Sequence, residues 1–150
     1  MPTGAEGHTA FRSGFSFWRP AGARNVYPEE YGMRKRILVV EDDPNVLEYM
    51  INFLQSGDYD AVGAQNGNSA LNLASGTPFD LITLNMEMRN DSGAVVYKQL
   101  ASGNYNRETP FIFVGGPKEI HQAIPNAVAT VTKPFDPDRM LTIIRQTLGE

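Results

Sequence analysis

Residues 34–57 read RKRILVVEDDPNVLEYMINFLQSG, and they spell a strand, a loop and a helix in that order. Ile37–Val40 is an unbroken apolar run of the kind that a strand buried on both faces requires. The acidic residues Glu41 and Asp42 end that run. Asp43 is then a helix N-cap, with Pro44 at the first helical position, where its missing N–H costs nothing. Val46, Leu47, Met50, Phe53 and Leu54 recur on one stripe, and Gly57 supplies the stop. A buried strand leading into an amphipathic helix is the first half of a βαβ unit.

The same alternation continues toward the C-terminus. Apolar runs stand at Leu81–Leu84 and Phe111–Val114, with weaker β-prone runs at 59–64 and 127–131. Between them lie helical stretches, one opening at Asn68 and ending near Gly76, another from about Asp91 to Gly103. Asp136 and Pro137 repeat the cap signal before a final stripe of Met140, Leu141, Ile144 and Leu148. Strands alternating with helices predict right-handed βαβ units and an open α/β sheet. The stretch from Gly115 to Lys133 is short for a full helix, and Pro117 and Pro125 bracket what is left, so at most a short helix fits there.

Residues 1–32 differ. They are rich in Gly, Pro and Arg, with Phe11, Phe15, Phe17, Trp18, Tyr27 and Tyr31 scattered among them. No helical or strand period is sustained, which predicts a flexible arm. Its segment FRSGFSFWRP has two readings, a docking element or a leader without a role. Met33 opens a self-sufficient stretch, so a start there is an open alternative. The whole chain of 150 residues suits one domain with a substantial core. A net charge of −4 leaves no electrostatic footprint for nucleic acid, and the absence of cysteine excludes disulfides and thiolate ligands. His8 and His121 make no metal constellation. No apolar run approaches the roughly 20 residues of a membrane span, and no secretory core opens the chain, so a cytoplasmic location is expected.

In open α/β sheets ligands bind outside the carboxyl ends of the strands, where the strand order reverses. The residues that follow the strands are Glu41 and Asp42, then Asn85, then Gly115 and Gly116, then Lys133. Two carboxylates on one rim suit Mg²⁺ held by oxygen, and a lysine suits pairing with them or with a phosphate. Each residue also has a plainer reading. Glu41 and Asp42 are equally ordinary acids in a loop. Glu87 either adds charge to the rim or points to solvent. Arg89 is either a contact for an anion or a solvated side chain, and the second fits better. Gly115 and Gly116 mark a turn with unusual backbone angles more readily than a phosphate cradle. His121 reads as a surface residue of a short helix.

On these motifs the segment from Arg34 to Glu150 resembles a response-regulator receiver domain. ILVVEDDP is similar to the family's first strand and acidic pair, with Glu41 and Asp42 at its metal-binding positions. LNMEMRNDSG fits its D-x-x-M-P-x-x-x-G pattern at Met88 and Gly93. VTKPF matches its Lys-Pro-Phe, which places Lys133 at the phosphate-pairing position and implies a cis Lys133–Pro134 bond. The resemblance implies a flavodoxin-like, doubly wound, five-stranded parallel sheet of order 2-1-3-4-5, here with a shortened fourth helix.

The departures define the expected function. Asn85 stands where the family carries its phosphorylated Asp, and an amide is neutral and forms no acyl phosphate. Arg89 replaces a proline, Gly115 a hydroxyl residue, and Thr130 the aromatic that the family rotates on activation. A single engineered Asp-to-Asn change explains none of the other losses, which points to natural degeneration. The expectation is therefore a pseudo-receiver: not an enzyme, but a phosphorylation-independent interaction module of two-component signalling. Glu41, Asp42 and Glu87 form a vestigial acidic pocket, Asp42 holds Mg²⁺ weakly at most, and no other cofactor is expected. Lys133 neutralises Glu41 or Asp42 and locks one conformation. Implied partners are a histidine kinase, another response regulator or a second copy, with output through a separate protein. Two alternatives stay open: phosphotransfer through Asp42, Glu87 or Asp91, and small-ligand sensing in the vacated pocket.

Overall fold

The computed structural model describes residues 34–150, so the expected arm at 1–32 lies outside the described residues. Five strands, β1 (Arg36–Val40), β2 (Asp60–Ala64), β3 (Leu81–Asn85), β4 (Phe111–Val114) and β5 (Ala127–Val131), alternate with α1 (Pro44–Ser56), α2 (Gly67–Ala74), α3 (Gly93–Ala101) and α4 (Pro137–Thr147). All strand pairs are parallel, in the order β2-β1-β3-β4-β5. This is the flavodoxin-like receiver fold that the sequence predicts.

Hydrophobic burial fixes the layers. Leu38, Val40, Ile82, Leu84, Phe111 and Phe113 face one side and pack on Ala70, Ala74, Val96 and Leu100 of α2 and α3. Ile37, Val39, Leu81, Ile112 and Val114 face the other, against Leu47, Met50 and Leu54 of α1 and Met140 and Ile144 of α4. Each of these Val, Leu, Ile, Phe and Met side chains, fully buried, is worth about 1.5–3 kcal/mol of transfer free energy. Because both faces are covered, the central strands carry no polar alternation. This is why their apolar runs were legible.

Helix starts differ from expectation in two places. Asn66, not Asn68, caps α2: its Oδ1 accepts from Ser69 N at 2.8 Å. The helix expected from about Asp91 starts at Gly93 with Ser92 as its cap, and Asp91 accepts from Gly67 N at 3.1 Å, joining the two helix starts. Where several Asn, Asp and Ser residues run together, residue type alone does not say which one caps. The shortened fourth helix is a single 3-10 turn, Ile120–Ala123. The Lys133–Pro134 bond is cis.

Candidate functional site

The strand order reverses between β1 and β3, and the residues at those two strand ends meet there. The two residues that follow β1 are Glu41, which is 1% exposed, and Asp42. β3 is one residue longer than its apolar run: Asn85 pairs with Val114 as the last strand residue and is 2% exposed. Being in the strand, its side chain has little freedom of direction.

The Asn85 carboxamide lies between the two carboxylates. Nδ2 donates to Glu41 Oε2 at 3.1 Å and to Asp42 Oδ1 at 3.2 Å. Oδ1 accepts from the Glu87 backbone N–H at 2.9 Å. A reversed amide would set its oxygen against two carboxylate oxygens and its nitrogen against an N–H, so the surroundings dictate the orientation. Lys133 reaches in from the loop after β5 and places Nζ 3.2 Å from Glu41 Oε1. Glu41 Oε2 also accepts from Asp43 N at 3.1 Å, and Asp42 Oδ2 accepts from Arg89 N at 3.0 Å. Every oxygen of the acidic pair therefore faces a donor of the protein itself. Glu41 Oε1 has the ammonium nearby without an aligned hydrogen bond, so its attraction is ionic.

These contacts set the electrostatics. Burial alone pushes the Asp42 carboxyl up, but the Arg89 backbone N–H, its neighbouring hydrogen bonds and the Arg89 guanidinium together hold it below its ordinary value. The guanidinium is a minor contributor, since its Nε is 3.9 Å away and the side chain is 80% exposed.

Mg²⁺ requires oxygen ligands in near-octahedral order. Here an amide nitrogen, with both hydrogens committed, occupies the space between the two carboxylates. Among the described residues no group of three or more His, Cys, Asp and Glu side chains converges. In this arrangement the residues present do not fit a divalent ion. What the arrangement does supply is neutralisation: one ammonium and one amide against two carboxylates.

The rim thus gathers Glu41, Asp42, Asn85 and Lys133, and leaves out the other expected members. Glu87 takes the solvent side of its two readings: its side chain is exposed, and only its backbone N–H joins the cluster. Its carboxylate folds over Gly115, where a Cβ would stand 2.8 Å from Oε1. Gly115 and Gly116 have φ of +78° and +80°, so the turn after β4 needs glycine on both counts, and the angles expected of it are present. Asp91 is engaged by Gly67 N, as described above. Thr130 lies elsewhere, lining an open cavity of about 540 Å³ with His121, Phe135 and Arg139. His121 is half-buried there rather than a free surface residue, because its Nδ1 is 2.8 Å from Thr130 Oγ1. The donors that sequence reading missed are the backbone N–H groups of Asp43, Glu87 and Arg89. A backbone group leaves no residue-type signal.

The family model for the response regulator receiver domain matches residues 37–145. Protein Rrf1 of Nitratidesulfovibrio vulgaris is 28% identical over 117 residues, which cover 78% of this chain and 85% of that protein. The polar-differentiation response regulator DivK of Brucella anthropi is 27% identical over 124 residues, covering 79% of this chain and 99% of that one. Among solved structures, the Vibrio cholerae chemotaxis protein CheY4 superposes with a TM-score of 0.69 at 24% identity, over 77% of this chain and 99% of that one.

Proposed function

This chain belongs to the response regulator receiver domain family, and from that premise we propose that it acts as a pseudo-receiver, a protein-interaction module that works without phosphorylation. One observation carries the reading. At the end of β3 the side chain is a buried carboxamide whose nitrogen donates to both carboxylates of the acidic pair. Such a group has no anionic oxygen to attack a phosphoryl donor, and it removes the need for a cation between Glu41 and Asp42. With Lys133 held on Glu41, the rim has one arrangement of charges in place of two. The reading assigns the chain no turnover of its own and no required cofactor.

Receiver domains interact with histidine kinases and other response regulators. For this chain we assign the same classes, or a second copy, bound through a fixed surface by competition or scaffolding. Among the described residues no helix is long and apolar enough to cross a membrane, and a cytoplasmic site of action fits the reading.

Intact mass after incubation with acetyl phosphate and Mg²⁺ tests the proposal. The native chain should keep its mass, while Asn85→Asp should gain about 80 Da, one phosphoryl group. A stable adduct on the native chain, mapped to Asp42, Glu87 or Asp91, would overturn the reading in favour of phosphotransfer. Geometry argues against that outcome: both Asp42 oxygens are engaged, Asp91 binds Gly67, and Glu87 is turned outward.

A further inference from the structure

Strand β5 is the last in the sheet order, so one of its sides pairs with no other strand. Val131 O accepts from Gly115 N at 2.8 Å, which turns the main-chain groups of Val131 toward β4. Direction alternates along a strand, so the N–H and C=O of Thr130 and Thr132 point to the open side. The cavity of about 540 Å³ runs along that side. Its two walls belong to opposite layers. Lys118 and His121 stand by the 3-10 turn, which packs with the α2–α3 layer through Ile120 and Ile124. Phe135 and Arg139 stand at the start of α4, and Phe135 packs with the α1–α4 layer. A cavity that touches both layers and Thr130–Thr132 has the strand edge as its floor. The Thr130 hydroxyl is engaged by His121 Nδ1 at 2.8 Å, which leaves the main chain to meet an occupant. The walls also carry charge. Lys118 and Arg139 are exposed, and neither forms an ion pair among the described residues. Of the two carboxylates beside them, Asp136 caps α4, and only Glu119 is left uncommitted.

We infer that this edge docks an extended acidic segment of a partner protein, which joins the sheet beside β5 as an added strand. The main chain of the segment bonds to Thr130 and Thr132, and its side chains enter the two walls. Successive side chains of a strand point to opposite faces, and Lys118 and Arg139 stand on opposite faces. The segment therefore carries two acidic residues an odd number of positions apart, one for each cation. The register of β5 on β4 jumps from Phe111–Ala127 to Ile112–Ala129, which makes Val128 the extra residue of a bulge. A bulge interrupts the edge, so the added pairing is confined to residues 129–132 and the affinity is modest. A second copy fits the groove less well, because the β5 sequence AVATV brings no acid to either cation. The inference deepens the pseudo-receiver reading by naming its docking surface, and rests on it only for the existence of a partner. The edge and its cations do not involve Asn85, so the phosphorylation test and the one below fail separately.

The test is an amide NMR titration of the full chain with capped octapeptides of Val and Thr that differ only in the placing of two glutamates. With the glutamates three positions apart, the peptide should shift the amides of Thr130 and Thr132 and slow their exchange with solvent. Two positions apart, both glutamates fall on one face, and binding should weaken about three- to fivefold. Replacing both by lysine should abolish it. Lys118→Gln and Arg139→Gln change exposed side chains and leave the core intact, and each should weaken the odd-spaced peptide by about the same factor. Absence of any shift, shifts that map away from residues 129–132, or equal binding of the odd- and even-spaced peptides overturns the inference. So does a dimer in sedimentation whose Thr130 and Thr132 amides are protected without peptide, since a second copy then holds the edge.

Discussion

Two buried asparagines, one at each end of the sheet, each donate twice through Nδ2, but to partners of different kinds. Asn106 lies in the loop before β4 and is 1% exposed. Its Nδ2 donates to the carbonyls of Ala74 and Thr77 at 3.0 and 2.9 Å, and its Oδ1 accepts from Phe79 N and Thr109 Oγ1. Asn85, at the opposite end, also donates twice and accepts from a backbone N–H, but its two acceptors are carboxylates. Around Asn106 every partner is neutral, and the amide only ties chain segments together. Around Asn85 the amide stands against two charges, so its donors do the work of a cation. One residue type, donating twice at both sites, is a rivet at one end and an electrostatic substitute at the other.

Substitution by Asp separates the two most sharply. At Asn106 the carboxylate oxygen replacing Nδ2 would face two carbonyl oxygens with no donor, and Asn106→Asp should cost on the order of 3–5 kcal/mol in chemical denaturation, with no relief from Mg²⁺. Asn85→Leu tests the other end: it leaves Glu41 and Asp42 facing each other with Lys133 as the main compensation, a loss of about 3 kcal/mol. If Asn85→Leu proves neutral, the amide is not needed to hold the pair and the comparison fails.

The acid limb of stability sharpens the same contrast. The folded-state carboxyl of Asp42 is held below its unfolded value, so its contribution is present above about pH 3.9 and is lost as pH falls through the lower folded value. In Asp42→Asn this part of the acid-induced loss should be missing from denaturation curves taken across that window. The smallest effect is expected at the β5 edge, where the bond between His121 and Thr130 supplements the packing of Ile120 and Ile124 that anchors the 3-10 turn. His121→Ala should cost no more than about 1 kcal/mol, with faster amide exchange confined to residues 117–126.

Much of the fold was open to sequence reading because its signals are local and repeated. The runs Ile37–Val40 and Phe111–Val114 are apolar throughout since helices cover both faces, and the Asp43–Pro44 and Asp136–Pro137 caps mark two helix starts without ambiguity. The site was legible only as side-chain types at strand ends. Glu41, Asp42, Asn85 and Lys133 could be placed on one rim, and the pairing of Lys133 with Glu41 was one of two partners foreseen. That Asn85 aims its nitrogen at both carboxylates could not be read, because the direction follows from the backbone N–H of Glu87. Glu87 itself misled for the same reason: its contribution is a backbone donor, while its carboxylate lies over Gly115. Asn106 gave no signal at all, since an asparagine in a polar loop is unremarkable until the chain folds around it.

At the rim the Asn85 amide stands in place of a cation. Its side-chain NH₂ resonances, identified by their absence from Asn85→Leu, report this directly by NMR. In freshly prepared protein they should exchange with deuterated solvent far more slowly than those of exposed asparagines such as Asn68, and should not move when millimolar Mg²⁺ is added. Rapid exchange, or a shift that saturates with Mg²⁺, would show that the carboxylates are open to a metal and would contradict the account.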